Sequence, residues 1–302
     1  MIVILGPTAS GKTAFAARLA YERNGEVISA DSRQVYRGMD IGTGKDLGDY
    51  TVNGFPVPYH LIDIADPGYE YNVFEYQQDF LKVYRDMLQR DRLPVLCGGS
   101  GMYLEAVLKG YNLVPAPGDD AFIRSLEDKS DIELVGILKS FKTLHNITDL
   151  EDRPRLMKAL LVAHQAEISA KTDSRIGFPE IRSVVFGIHF PRELLKMRIA
   201  ERLENRLETG MIAEVEKLLQ AGISPKRLLK YGLEYRFVTL FLTGKISRSD
   251  LFFRLNIAIR QFAKRQMTWF RRMERQGIPI HWIDGRQPDE QKMEEISFIA
   301  GD

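Results

Sequence analysis

The stretch Gly6-Pro7-Thr8-Ala9-Ser10-Gly11-Lys12-Thr13 constrains this chain more than any other. It has the spacing G-x-x-x-x-G-K-[ST], between an aliphatic run from Ile2 to Leu5 and residues at helical spacing, Ala14, Phe15, Ala17, Leu19 and Ala20. Strand, loop and helix in that order is the context in which the pattern has a mechanism. Glycines let backbone N–H groups converge on phosphate oxygens, and the start of the helix adds partial positive charge. Lys12 supplies a mobile cation for the terminal phosphate, and the Thr13 hydroxyl can ligate Mg²⁺. The bland reading is a glycine-rich turn. The loop leaves the donor open, since a nucleoside triphosphate and a diphosphate ester both fit.

Further along, Glu26 to Ala30 reads as a strand ending at Asp31, Tyr59 to Ile64 as a third strand, and Phe74 to Gln89 as an amphipathic helix. Pro94 to Cys97 is a buried strand stopped by Gly98-Gly99. The alternation predicts an α/β fold, a parallel sheet flanked by helices with ligand groups at the carboxyl ends of its strands. Around Pro115 to Asp120 the pattern breaks, and from Phe122 to about Ala170 the apolar spacing is helical. Ser183 to Ile188 returns as a strand, followed by helical stretches over Glu193 to Ala221 and Asp250 to Gln276 and a last strand at Ile280 to Ile283. The expected organisation is a core over 1–115, a small all-helical insertion over 116–180, and a second part of the core over 181–302 with basic helices.

Composition narrows the partners. The net charge of the 302 residues is only +1, yet residues 182–275 carry 20 Lys or Arg against 9 Asp or Glu. A basic segment of that kind suits a polyanion, although a solvated face is the bland alternative. The single cysteine, Cys97, lies in an apolar run and reads as a small buried hydrophobe, so no disulfide forms within the chain and a reducing cytoplasm is expected. Met1 leads into an apolar run without a basic n-region, so no secretory signal is expected, and no stretch of about 20 apolar residues predicts a membrane span. The five histidines are scattered, which excludes zinc-ligand spacing.

The segment Ser29-Ala30-Asp31-Ser32-Arg33-Gln34-Val35-Tyr36-Arg37-Gly38-Met39-Asp40-Ile41-Gly42-Thr43-Gly44-Lys45 is unusually polar for a loop after a buried strand. Asp31 should emerge beside the phosphate loop, as a base, a metal-water ligand or a helix cap. Gln34 has the donor and acceptor edge that suits adenine. If the bound phosphoryl group is transferred, the chain is a kinase or NTPase. If diphosphate departs, it is an alkyl transferase, which needs an anion clamp, a nucleophile held in line and a base.

Five stretches, G-P-T-A-S-G-K-T, S-A-D-S-R-Q-V-Y-R-G-M-D-I-G-T, Y-H-L-I-D-I-A-D-P, G-G-S-G-M-Y and A-K-R-Q-M-T-W-F-R-R, occur in that order from residue 6 to 272. Together they resemble the tRNA dimethylallyltransferases, also called tRNA isopentenyltransferases, whose core is P-loop NTPase-like. The resemblance implies transfer of a dimethylallyl group from dimethylallyl diphosphate to N6 of an adenosine beside the tRNA anticodon, with release of diphosphate. It implies that residues Gly6 to Thr13 and Arg202 bind the diphosphate, with Mg²⁺ on Thr13, and that Asp31 is the general base. Lys12, Thr13, Ser100 and Arg202 complete the implied catalytic set; Ser100 stands where the family usually has Thr. Asp31, Ser32, Arg33, Gln34, Ser100, Arg124, Pro154, Arg155, Leu156, Met157 and Lys158 are implied to meet the tRNA.

Arg198, Arg202 and Arg206 share one helix face, opposed in the bland reading by Glu201, Glu204 and Glu208. Arg260, Lys264 and Arg271 share a face of the late basic helix, and phosphate-backbone contact is expected of some of them. Trp269 and Trp282 are expected as packing anchors. The stretch from Leu144 to Arg155 is shorter than the family usually carries, and Lys230 to Tyr235 only loosely echoes its G-Y-x-E signature. The alternatives are an adenylate isopentenyltransferase, which acts on a free adenine nucleotide, and a small-molecule kinase. The partners expected are a tRNA anticodon stem-loop and dimethylallyl diphosphate, with no membrane, for a cytoplasmic monomer.

Overall fold

The computed structural model describes residues 1–111, 113, 120–141, 153–171 and 178–301. The chain divides into two compact units, Met1–Lys109 with Ile181–Asp302, and Gly110–Glu180.

In the first unit, strands β1 (Ile2–Leu5) and β2 (Gly25–Ala30) flank helix α1 (Lys12–Glu22) in sequence. A small antiparallel hairpin, β3 (Thr51–Val52) with β4 (Phe55–Pro56), precedes β5 (Tyr59–His60). Helix α2 (Val73–Gln89), strand β6 (Leu93–Gly98) and helix α3 (Gly101–Leu108) follow. The second unit holds α4 (Asp120–Glu127), α5 (Asp131–Phe141) and α6 (Arg153–Lys171). The first unit resumes with β7 (Val184–His189), α7 (Arg192–Glu208), α8 (Met211–Gln220), α9 (Pro225–Leu228), α10 (Leu233–Leu242), α11 (Arg248–Arg275), β8 (His281–Asp284) and α12 (Asp289–Ala300).

Among the described residues the main sheet has the order β5-β2-β6-β1-β7-β8, with every pairing parallel. β1 and β2 are buried along their whole length, which is why they read as unbroken apolar or small-residue runs rather than as alternating ones. On one side Phe15, Ala16 and Leu19 of α1 pack against Ile4, Val27, Val95 and Phe186. A second cluster joins Ile199, Leu203, Met211, Val215, Tyr235, Leu255 and Ile259 of the later helices to Val35, Tyr36 and Met39 after β2.

The register does the positioning. Leu5 pairs with Gly98, and Gly98 with Ala30, so β1, β6 and β2 end side by side. Gly6, Gly99 and Asp31 therefore leave the sheet along one edge, with neighbouring strands about 4.8 Å apart.

The structure corrects several expectations. The strand from Tyr59 stops at His60, because Leu61 and Asp63 take left-handed φ of 61° and 56° and Ala65 N–H bonds to Val35 C=O instead. The helical stretch over 193–221 is two helices, broken at Gly210 with φ 113°. Helices α10 and α12 were not expected. The break near Pro115 falls among residues outside those described, as does 144–152. The second unit packs around Leu126, Leu134, Leu138, Leu156 and Leu160. No helix among the described residues is long and apolar enough to cross a membrane.

Candidate active site

The phosphate loop curls between β1 and α1. Ala9 and Gly11 take φ of 62° and 76°, and Ser10 N–H returns to Pro7 C=O at 3.3 Å. Gly6 is needed for close approach, since a Cβ there would lie 2.9 Å from the Ile188 carbonyl oxygen. Lys12 arches back, its Nζ 3.4 Å from Pro7 C=O, and burial lowers its pKa. That makes the ammonium more costly while no anion is bound and rewards an incoming one. Cys97 lies beneath α1, its thiol directed at Lys12 C=O and pushed up by burial to about 12, so it is inert packing as expected.

The arginines of the α7 stripe are half-buried while Glu201, Glu204 and Glu208 are exposed, with Glu201 at the rim of the cavity that Arg198 and Arg202 line. Arg198 Nε donates to Ala9 C=O at 2.9 Å, and its guanidinium lies 4.6 Å from the Phe190 ring centroid. Arg202 Nη1 reaches Thr8 Oγ1 at 3.4 Å, while its other nitrogen pairs with Asp46, which Arg206 also approaches at 3.3 Å. Burial pushes the Asp46 carboxyl up, but the two guanidiniums outweigh it and hold it below the usual range. Burial also lowers the pKa of Arg206, with the Arg202 charge adding to it. A cavity of about 460 Å³ opens here, lined by Ala9, Gly11, Lys12, Thr13 and Asn205, by the cations Arg198 and Arg202, and by the carboxylates Asp46, Asp49 and Glu201. Its cations suit an anion of two phosphates. The Thr13 hydroxyl and the Asp46 and Asp49 carboxylates are hard oxygen donors that fit Mg²⁺. Among the described residues no group of three His, Cys, Asp or Glu could hold a metal by itself, so a cation here would rely on a bound diphosphate.

Asp31 stands at the end of β2, half-buried, with Oδ1 accepting Arg33 N–H at 2.9 Å. Its charge is felt at Lys12, across the strand ends. Ser100 Oγ accepts Ser32 N–H at 2.9 Å, which ties the Gly98-Gly99-Ser100 turn to the residue beside Asp31. Arg33 is exposed. Gln34, expected on the nucleotide side, is instead buried, its Oε1 accepting from Ser29 Oγ at 3.0 Å and its Nε2 donating to Gly44 C=O at 3.0 Å. With both amide ends taken it braces the loop. Asp63 pairs with the fully buried Lys45 at 2.5 Å, as does Asp40, so it is a structural acid.

In the helical unit, Arg124, Pro154 and Arg155 are exposed and Met157 is half-buried. Leu156 is a correction: at 2% exposure it belongs to that unit's apolar core, so its side chain does not reach RNA. Lys158 lies on α6, and its side chain is outside the described ones.

Three residues of the first unit were missed. Glu214 accepts the N–H groups of Asp40, Ile41 and Gly42 at 2.9, 2.7 and 3.1 Å, and Lys45 anchors the same loop from inside. Gln266, within the late motif, bonds Thr8 and Gly99. The motif itself was the available signal for Gln266. Trp269 packs on Gly101, where a Cβ would lie 2.3 Å from its Cδ1, with Arg272 4.0 Å from its ring centroid. Between α7 and α11, against Pro7, lies a second cavity of about 660 Å³ lined by Arg192, Lys196, Arg260, Lys264 and Arg271 with Leu195, Ile199 and Met267.

The chain is similar to known proteins over nearly its whole length. A family profile described as IPP transferase matches residues 34–273, and one described as isopentenyl transferase matches 1–51. The tRNA dimethylallyltransferase 2 of Bacteroides fragilis is 55% identical over 300 residues, 99% of this chain and 96% of the relative. The tRNA dimethylallyltransferase 1 of Parabacteroides distasonis is 54% identical, over 97% of this chain and 95% of its own. Among solved structures, the full-length tRNA isopentenylpyrophosphate transferase of Bacillus halodurans superposes with TM-score 0.71 at 31% identity, covering 99% of this chain and 95% of that one. A eukaryotic dimethylallyltransferase acting on tRNA gives TM-score 0.78 at 22% identity, covering 100% and 79%, and shares the fold.

Proposed function

The chain belongs to the IPP transferase family, and from that premise we propose that it transfers the dimethylallyl group of dimethylallyl diphosphate to N6 of an adenosine beside the tRNA anticodon. The observation that carries this reading is the shared ending of β1, β6 and β2, which sets an anion-binding loop, a serine turn and a carboxylate on consecutive strands. Two strand spacings, about 10 Å, separate loop from carboxylate. That gap suits an allyl carbon bonded to a diphosphate on one side and attacked by an amine on the other.

Backbone amides of the phosphate loop, Lys12 and Arg202 hold the diphosphate, and Arg202 and Arg206 turn from Asp46 toward it. The N6 amine attacks carbon 1 of the allyl group, the carbon–oxygen bond breaks, and the electron pair leaves with the diphosphate. The proton released from N6 passes to the Asp31 carboxylate, with Ser32 and Ser100 fixing the loop that carries it. Positioned proton transfer contributes about 10² to 10⁴ in rate, and stabilisation of the leaving diphosphate contributes more. Mg²⁺ would be held by Thr13 and the diphosphate oxygens, and when bound it supplies further positive charge to the leaving group. The target base must leave its stack to reach the site, since chemistry on a base within a folded loop requires extrusion. The cations of α11 and the exposed Arg33, Arg124 and Arg155 take RNA phosphates.

Incubation with labelled dimethylallyl diphosphate and either an unmodified anticodon stem-loop or AMP tests the reading. Label on the stem-loop supports it. Label on AMP alone assigns the free nucleotide as acceptor, and ATP hydrolysis with no label transferred assigns a kinase.

A further inference from the structure

One side chain at the centre of the site has no part in the scheme above. Gln266 projects from α11 and is 7% exposed. Its Oε1 accepts the Thr8 N–H at 2.8 Å, and its Nε2 donates to the Gly99 C=O at 2.9 Å. Thr8 lies in the phosphate loop. Gly99 precedes Ser100, whose hydroxyl accepts the N–H of Ser32, the neighbour of Asp31. One amide thus joins the loop that holds the leaving group to the turn that holds the base.

The junction is tight. A Cβ on Gly99 would lie 2.4 Å from Gln266 Nε2 and 3.3 Å from the Gly6 carbonyl oxygen, so loop, turn and amide are in direct contact. The helix that carries Gln266 is itself fixed to the same turn: Trp269 packs on Gly101, and Arg272 pairs with the buried Glu105 of α3. A planar amide has its acceptor and donor at a set separation, so it fixes the spacing of what it bridges.

We propose that Gln266 is a positioning residue, which sets the distance between the phosphate loop and the Ser100 turn so that amine, allyl carbon and departing oxygen stay in line. The inference rests on the prenyl-transfer reading. It concerns the alignment of bound substrates rather than their binding, because the Thr8 N–H that Gln266 occupies is not available to the diphosphate. In-line displacement is sensitive to such alignment, and a misplacement of about 1 Å costs about 100-fold in rate.

The test compares the wild type with Gln266→Leu and Gln266→Glu in the full chain. It measures turnover with both substrates saturating, affinity for a non-reactive thio analogue of dimethylallyl diphosphate, and thermal melting. The leucine variant is expected to lose about 100-fold in kcat while donor affinity stays within a few-fold. The glutamate variant adds a signature. Its carboxylate still accepts from Thr8 but faces the Gly99 carbonyl oxygen, which together with burial raises its pKa. Below that pKa the protonated acid can donate to Gly99, so the rate of the variant relative to wild type should climb as pH falls, and decline as pH rises. A merely structural glutamine would change melting or both KM values without this recovery. Turnover of both variants within about threefold of wild type at every pH overturns the inference, as does a loss confined to KM and melting. A wild type that labels no stem-loop overturns the reading of the reaction instead, and the inference with it.

Discussion

Asp31 has one oxygen engaged by a turn, and the other is the one to which the proposed function assigns the proton of N6. Oδ1 accepts Arg33 N–H, and among the described residues Oδ2 has no hydrogen bond. Asp31→Asn preserves the turn acceptor and removes the proposed base, so single-turnover transfer to the stem-loop should fall about 10² to 10⁴. Donor affinity should stay within a few-fold, and survival of turnover at saturation would remove the assigned role. Gly44 lies against the guanidiniums of Arg202 and Arg206. At φ 66°, a Cβ there would lie 1.9 Å from Arg206 Nη2 and 2.8 Å from Arg202 Nη2. Those atoms end long side chains and can move aside, so the cost of Gly44→Ala is a misaimed clamp plus about 1 kcal/mol of left-handed strain. We expect binding of dimethylallyl diphosphate about 10- to 150-fold weaker by calorimetry, since one lost charge-assisted bond is worth about 1.5 to 3 kcal/mol. Unchanged affinity would mean that the guanidiniums do not serve the anion.

At the scale of elements, the loop after β2 is held from both sides. Glu214 of α8 gathers three backbone N–H groups of Asp40 to Gly42, and the Tyr235 hydroxyl donates to the same carboxylate at 2.5 Å. Glu214→Ala leaves those donors unsatisfied and should lower stability by about 2 to 4 kcal/mol, read as a shift in urea midpoint. A shift below about 0.5 kcal/mol would mean that water replaces the carboxylate at no cost. Such pinning of one loop by distant elements has no local signature in the sequence. The strand, phosphate loop and helix at the amino terminus are legible because their determinants are contiguous: the aliphatic run, the glycines, Lys12. So are the ends of β2 and β6, which Asp31 and Gly98-Gly99 announce. Glu214 is not, because its partners lie far along the chain. Gln266 stands in a motif that does not reveal which distant groups it bridges. Lys45, whose partners Tyr36, Asp40 and Asp63 are near in sequence, is hidden because an irregular loop gives no rule for which way its side chain faces. Gln34 and Leu156 mislead for the complementary reason, since polarity or motif position says nothing of which way a side chain faces. The short β5 escapes because left-handed Leu61 has no signature in an apolar run.

Across the whole molecule, charge is sorted. Residues 182–275 hold 20 basic against 9 acidic residues while the total is only +1, so the remainder is correspondingly acidic. The cations around the cavity between α7 and α11 sit next to Pro7, hence next to the donor loop, and not on a remote face. An RNA backbone drawn to them would bring an extruded base toward the ends of the strands. Such attraction depends on salt, because exposed charges are screened over about 10 Å at 0.1 M ionic strength. For single-stranded RNA each neutralised phosphate contributes about −0.7 to the slope of log affinity against log salt. Lys264→Ala with Arg271→Ala should therefore make that slope shallower by about 1.4 for the stem-loop. Binding of the thio analogue should show no comparable change, since the cavity proposed for the diphosphate lies on the Arg202 side of α7. A stem-loop slope identical to wild type would assign this cavity to something other than RNA phosphates and move the polyanion path elsewhere on the basic segment.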